Sequence, residues 1–408
     1  MKTVLACFLT LAALVAAEDW SQWRGPNRDG YAGPAGLPAK LPGQLAAPVW
    51  KVTVGEGHSS PVAAGGRVYS FARRGDNEVV TCHSLVDGKP VWVESYPAPY
   101  TVNPAAARHG PGPKSTPVVQ GGAIYTLGIS GILSSFDAST GKLRWRKQFS
   151  DQYPSTSPLF GTASSPLVVG DVLIAAVGGH DKGALIALQA SSGAVKWKWE
   201  GDGPAYASPI LLTAGGSQQV VTQSRNNVIA VALDSGRLLW KIPIRTSYDQ
   251  NAVTPLAFGD LLIYSGLANG ISAVRLVNKD GAWTTEKVWH IDELSLYMNS
   301  PVLSGNLLFG FSHKNSGQYF CVDARTGKTL WVGPPRGGDN AAIVRVGDAL
   351  LLLNNEAELS IVKASGDGFQ VIRKYTVADS PTWAHPVLVG GDLLIKDANT
   401  LRRLRLGS

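Results

Sequence analysis

Side chains able to do chemistry are thinly spread along this 408-residue chain. His58, Lys114, Tyr206, Asn299, Asn340 and His385 each stand in or beside a short tetrapeptide that returns along the sequence, and Arg225 and Asn226 form a separate polar pair. None has a neighbour at catalytic spacing. The chain lacks a G-x-S-x-G elbow, a phosphate-binding loop and an H-E-x-x-H pair, and its carboxylates form no pair that could be set across a glycosidic bond. Cys82 and Cys321 lie far apart without C-x-x-C or Cys/His spacing, so they are expected to be core thiols, and neither a metal ligand set nor a catalytic residue is assigned. Imidazole, ammonium, amide, guanidinium and phenol groups of this kind suit recognition, where Tyr, Trp and Arg carry much of the binding energy. The expectation is a binding site for a protein partner or a small ligand, built by whatever fold gathers these positions.

The gathering is done by repetition. "SSPV" (59–62), "STPV" (115–118), "SSPL" (164–167), "ASPI" (207–210), "VTPL" (253–256), "NSPV" (299–302), a degenerate "NAAI" (340–343) and "AHPV" (384–387) open eight units. Within most units a hairpin follows: "FDASTGKLRW" (136–145), "LQASSGAVKW" (188–197), "LDSGRLLW" (233–240), "VDARTGKTLW" (322–331) and the shortened "LVDGKPVW" (85–92). The Asp accepts backbone N–H groups two residues on, the Gly supplies a left-handed conformation, and alternating apolar residues resume the strand. Turn chemistry accounts for every fixed position except the Trp, which is expected to wedge against the next unit with its N–H seeking an acceptor. Asp137, Asp234 and Asp323 are accordingly read as turn formers.

One unit divides into strands at 116–119, 123–129, 132–137 and 143–147, separated by Gly121-Gly122 and Ser130-Gly131 turns. Four antiparallel strands cannot bury both faces alone, and a period of about 40 to 50 residues is that of propeller blades. The fold expected is therefore all-β: an eight-bladed β-propeller of four-stranded antiparallel blades, with a strand from residues 47–54 completing the last blade and closing the ring. In such a ring the loops between blades and those between second and third strands share one face, at the mouth of the axial channel. The candidate binding residues fall there, and the long loops 96–116 and 149–164 overhang the same face.

Residues 1–17, with Lys2 before an apolar run and small residues at 15 and 17, are expected to be a signal peptide, followed by an N-terminal extension at 18–46 and the propeller at 47–408. The product is expected to be exported, periplasmic or extracellular, monomeric and without a membrane span, since the apolar run is shorter than about 20 residues. A formal charge of +7 is scattered, with one run at Arg402, Arg403 and Arg405, which does not favour nucleic acid.

The hairpins and Ser-Pro-Val openings resemble the pyrroloquinoline quinone (PQQ) repeat propellers, which include quinoprotein alcohol dehydrogenases and BamB-type outer-membrane assembly lipoproteins. "DWSQWRGPNRDG" (19–30) is similar to the opening of secreted members. For the dehydrogenases the resemblance implies PQQ beside an adjacent Cys-Cys disulfide, a calcium ion held by carboxylate and amide oxygens, and an aspartate base. No residue here matches those positions. The reading is an exported, non-catalytic scaffold or binding propeller with no cofactor. A PQQ- and calcium-dependent redox enzyme is the alternative.

Overall fold

Short alternating runs rich in Val, Ile and Leu, cut by Gly-containing turns, form strands of three to ten residues. The computed structural model describes residues 19–34 and 37–407, so the expected signal peptide lies outside the described residues. Among the described residues there are eight four-stranded antiparallel sheets. They are blade 1 (62–97), blade 2 (118–147), blade 3 (167–199), blade 4 (210–243), blade 5 (256–291), blade 6 (302–332), blade 7 (341–376) and blade 8 (387–405 with 50–53). The eight-bladed propeller read from the sequence is the fold. In blade 8 the strand Trp50–Thr53 pairs with Thr400–Arg405, Trp50 opposite Arg403, so the two ends of the propeller share one sheet.

The strand boundaries within blade 2 differ slightly from expectation. Its innermost strand is Val118–Gln120, not 116–119, because Pro117 has no N–H for a ladder and the Thr116 N–H is engaged elsewhere. That engagement recurs around the channel. Ser60 N donates to Thr116 Oγ1 at 3.2 Å, Thr116 N to Ser165 Oγ at 2.9 Å, Ser165 N to Ser208 Oγ at 2.9 Å, and His385 N to Ser60 Oγ at 2.8 Å. The hydroxyls before Pro61, Pro117, Pro166, Pro209 and Pro301 thus accept from the preceding blade, which ties the blade openings into a partial inner ring.

The outer ring is tied by indoles. Trp92 Nε1 donates to Ala138 O at 3.1 Å, Trp145 to Ala190 O at 2.9 Å, Trp197 to Leu233 O at 2.9 Å, Trp289 to Ala324 O at 2.9 Å and Trp331 to Ser365 O at 2.9 Å, each in the next blade. Trp50 closes the circle on Leu85 O of blade 1 at 2.9 Å. Each of the hairpin glycines Gly88, Gly141, Gly193, Gly236 and Gly327 lies beneath the indole of the preceding blade. A Cβ on Gly141 would meet Trp92 Cδ2 at 2.7 Å, and its φ of +78° is left-handed as well. Trp240 is the exception: its indole still packs toward blade 5, but its Nε1 donates to Gln219 Oε1 in its own blade. In blade 5 the strands Ile271–Lys279 and Ala282–Ile291 are long and carry the hairpin turn beyond reach.

Hairpin Asp137 accepts from Ser139 N and Thr140 N at 3.0 Å, and Asp323 from Arg325 N and Thr326 N, so both are turn formers. Cys82 and Cys321 are free, buried thiols. Among the described residues no helix is long and apolar enough to cross a membrane.

Trp145→Ala should cost about 3–5 kcal/mol, the usual penalty for emptying a buried aromatic site, read by urea denaturation. Removing residues 47–54 should expose an open sheet edge in blade 8 and give soluble aggregates on size exclusion. A deletion variant that stays monomeric with unchanged melting contradicts the closure described above.

Candidate functional site

Residues 20–32 run into the axial channel and hydrogen-bond the free inner edges of the blades. Ala63 N donates to Trp20 O at 2.9 Å, Val119 N to Ser21 O at 2.8 Å, and Arg345 N to Gly30 O at 2.8 Å. Arg28 Nη1 donates to Pro166 O at 2.9 Å and its Nη2 to Ser165 O at 3.0 Å, while an Arg24 Nη2 bond reaches Pro301 O. Trp23 Nε1 donates to Thr254 Oγ1 at 3.1 Å, and its ring lies 4.4 Å from that of His385. This segment fills the channel below the mouth, so the mouth is the opening of a pit with an indole in its wall.

The pit has a volume of about 230 Å³. Five of the expected residues meet there: His58, Lys114, Tyr206, Asn340 and His385. Both long loops contribute. The first carries a 3-10 turn, Pro104–His109, in which the Ala105 N–H donates to Asn103 Oδ1 at 2.9 Å, and it sets Ala105, Ala106, Arg108 and His109 over the cavity. The second supplies Phe160 and Ala163. Trp383, His58 and His109 form a triangle of rings, with centroids 5.6 Å (Trp383–His58), 4.7 Å (Trp383–His109) and 5.5 Å (His58–His109) apart, and the Arg108 guanidinium lies 5.8 Å from the Trp383 centroid.

Three expected residues are elsewhere. Arg225 and Asn226 sit in the turn between second and third strands of blade 4 and do not line the pit. They line a separate hollow with His180, Asp181, Glu200 and Asp202. There Asp202 accepts from Asn226 N, Asn226 Nδ2 and Asn227 Nδ2, each at 2.8 Å, which is the work of a turn. Asn299 is buried at the opening of blade 6, and its neighbours Tyr297 and Met298 face the pit in its place. Trp23, Gln250 and Phe160 were not expected. Nothing local to residues 19–30 placed that segment in the channel.

Among the described residues no Asp or Glu lines the pit. Lys114 Nζ donates to Phe160 O at 2.7 Å and has no carboxylate partner; burial brings its pKa down to about 8. Burial holds His385 near pKa 3, with the charge of Arg24 adding to the effect. His58 is also held near 3 by burial, then by His109, Lys396 and Lys114. Among the described residues neither His58 Nε2 nor His385 Nδ1 has a hydrogen-bond partner. Tyr206 Oη accepts from Phe160 N at 3.2 Å and lies 3.1 Å from His180 Nε2. Ser208, the hydroxyl in the wall, accepts from Ser165 N, and among the described residues no ring nitrogen or carboxylate is bonded to it. Such a set can bind and orient, and it holds no nucleophile joined to a base.

These donors do not fit a calcium-held quinone: the wall has no carboxylate, and the two cysteines are buried in blades 1 and 6 and cannot form an adjacent disulfide. Among the described residues no group of three or more His, Cys, Asp or Glu is placed to hold a metal ion.

A family model described as outer membrane protein assembly factor BamB matches residues 76–332, more than half of the chain. The chain belongs to this family. BamB of Burkholderia pseudomallei is 24% identical over 353 residues, covering 82% of this chain and 81% of the relative. BamB of Yersinia pestis is 26% identical over 298 residues, 69% of this chain and 71% of that one. The crystal structure of BamB from Moraxella catarrhalis superposes with a TM-score of 0.64 at 15% identity, covering 88% of this chain and 97% of that one. Quinohemoprotein alcohol dehydrogenase from Comamonas testosteroni gives 0.69 at 12% identity, covering 96% and 81%. At those identities the likeness to solved structures is one of fold, shared by a BamB and a dehydrogenase alike.

A histidine whose folded pKa lies below its unfolded value of 6.5 lets the unfolded chain take the proton first. Stability should therefore be full above about pH 6.5 and fall as pH drops toward 3, with His58 and His385 each adding up to about 1.4 kcal/mol per pH unit. A urea series from about pH 7 to 4 should show this acid limb, and His58→Gln should make it shallower by one proton. An unchanged slope in that variant would mean that His58 is not held neutral.

Proposed function

We propose that this BamB-family propeller is an exported, non-catalytic scaffold that docks a protein partner at its channel mouth, in the assembly of envelope proteins. The observation that carries this reading is the wall of the pit: aromatic, basic and amide groups converge, while among the described residues no carboxylate and no nucleophile–base pair accompanies them. The family match and the relatives described as outer membrane protein assembly factors support the setting. On this reading the two long loops present the rim to the partner, and the Pro-rich backbone of the first limits the entropy lost on docking.

Crosslinking in cells tests it. Tyr248, 71% exposed in the loop that leads to Gln250, lies on the mouth face, and Val86, 73% exposed in a hairpin turn, lies on the opposite face. A photoreactive residue at Tyr248 should trap a discrete envelope protein, and one at Val86 should not. Purified protein given PQQ, calcium and a panel of alcohols and sugars should not reduce an electron-accepting dye above background. Quinone-dependent turnover, or trapping from Val86 alone, overturns the scaffold reading.

A further inference from the structure

Among the described residues, four cations in and beneath the pit make no salt bridge. Arg24 and Arg28 are buried in the channel segment, where their partners are backbone carbonyls and the Gln22 amide oxygen, and among the described residues Arg24 Nε, Arg24 Nη1 and Arg28 Nε have no partner. Lys114 bonds only a carbonyl, and Lys396 Nζ bonds the carbonyls of Gly57, Asp397 and Ala398. Among the described residues none of these four makes a salt bridge, while Arg108 at the rim is paired with Asp339 at 3.0 Å. Asp29 lies near Arg24, and Glu56 and Asp397 near Lys396, so compensation is partial and comes from outside the pit wall. The charges reach the wall: Arg24 acts on His385, and Lys396 and Lys114 act on His58.

Burying several like charges without partners is costly, and low-dielectric walls focus their potential into the cavity. A mobile anion entering the pit would relieve that potential. The walls then select its shape. Trp23, Trp383, Tyr206 and Phe160 offer ring faces, and a cavity of about 230 Å³ admits only a small molecule or one end of a larger one.

We propose that the pit is a binding site for a small flat carboxylate, an aromatic acid whose ring lies among the Trp23 and Trp383 side chains and whose carboxylate faces the Lys114 ammonium. This goes beyond the docking of a protein partner and stands or falls separately from it, because the crosslinking experiment reads the rim and ligand titration reads the pit.

The test is calorimetric titration of the purified protein with 4-hydroxybenzoate, 4-hydroxybenzamide and acetate. The acid should bind, and both the neutral amide and ring-free acetate should bind at least about tenfold more weakly, since a charge-assisted hydrogen bond and a ring stack are each worth about that factor. Lys114→Met should weaken the acid by about tenfold or more and leave the amide unchanged. Trp23→Leu should weaken acid and amide alike, and Lys196→Met, on the outer strand of blade 3, should change neither. Equal binding of acid and amide overturns the proposal, as does wild-type affinity in Lys114→Met, or acetate binding as tightly as the aromatic acid. Absence of measurable heat with 4-hydroxybenzoate, together with no rise in melting temperature at millimolar ligand, also overturns it.

Discussion

An indole seated on the hairpin glycine of the next blade is the contact on which this ring depends. A single four-stranded blade leaves apolar residues on both faces, and those faces are covered only by neighbours on either side. The indole supplies apolar surface and a directional N–H in one group, and the glycine leaves room for it to lie flat. Because Trp50 performs the same task between blade 8 and blade 1, the closing strand is held by side-chain docking as well as by its ladder. Arg403 reinforces the junction by donating to Leu85 O at 2.7 Å.

The inner circumference is built differently. Prolines at the blade openings remove donors, and the residues before them exchange N–H and hydroxyl bonds from blade to blade. This leaves the inner strand edges facing an empty axis, a place where unpaired backbone groups are costly. The segment 20–32 answers that requirement by pairing with blades 1, 2 and 7 and by spending its arginines on the carbonyls of blades 3 and 6. The price is positive charge buried in the channel, and the same charge gives the pit above it its electrostatic character.

Much of the fold was legible because its signals are local. Asp137 and Gly141 make a turn with residues two to four positions away, so hairpins could be read from short windows, and their recurrence gave the blade count. The closing strand expected within 47–54 is Trp50–Thr53, paired with Thr400–Arg405. Trp240 shows where local reading ends, because the acceptor its N–H finds depends on how far the hairpin of blade 5 extends.

By itself the sequence determined the architecture, the direction of each blade and the face on which His58, Lys114, Tyr206, Asn340 and His385 would lie, because those follow from turn chemistry and a repeat period. Only the tertiary structure decided which side chains meet. Arg225 and Asn226 line a separate hollow, and Asn299 is buried outside the pit lining while Tyr297 and Met298 face it. Trp23 became part of the site through a bond to Thr254, 231 residues away, and the charge of the pit came from arginines whose burial no nearby residue signals. Such contacts are settled when the ring closes around the segment, since their partners come together only then.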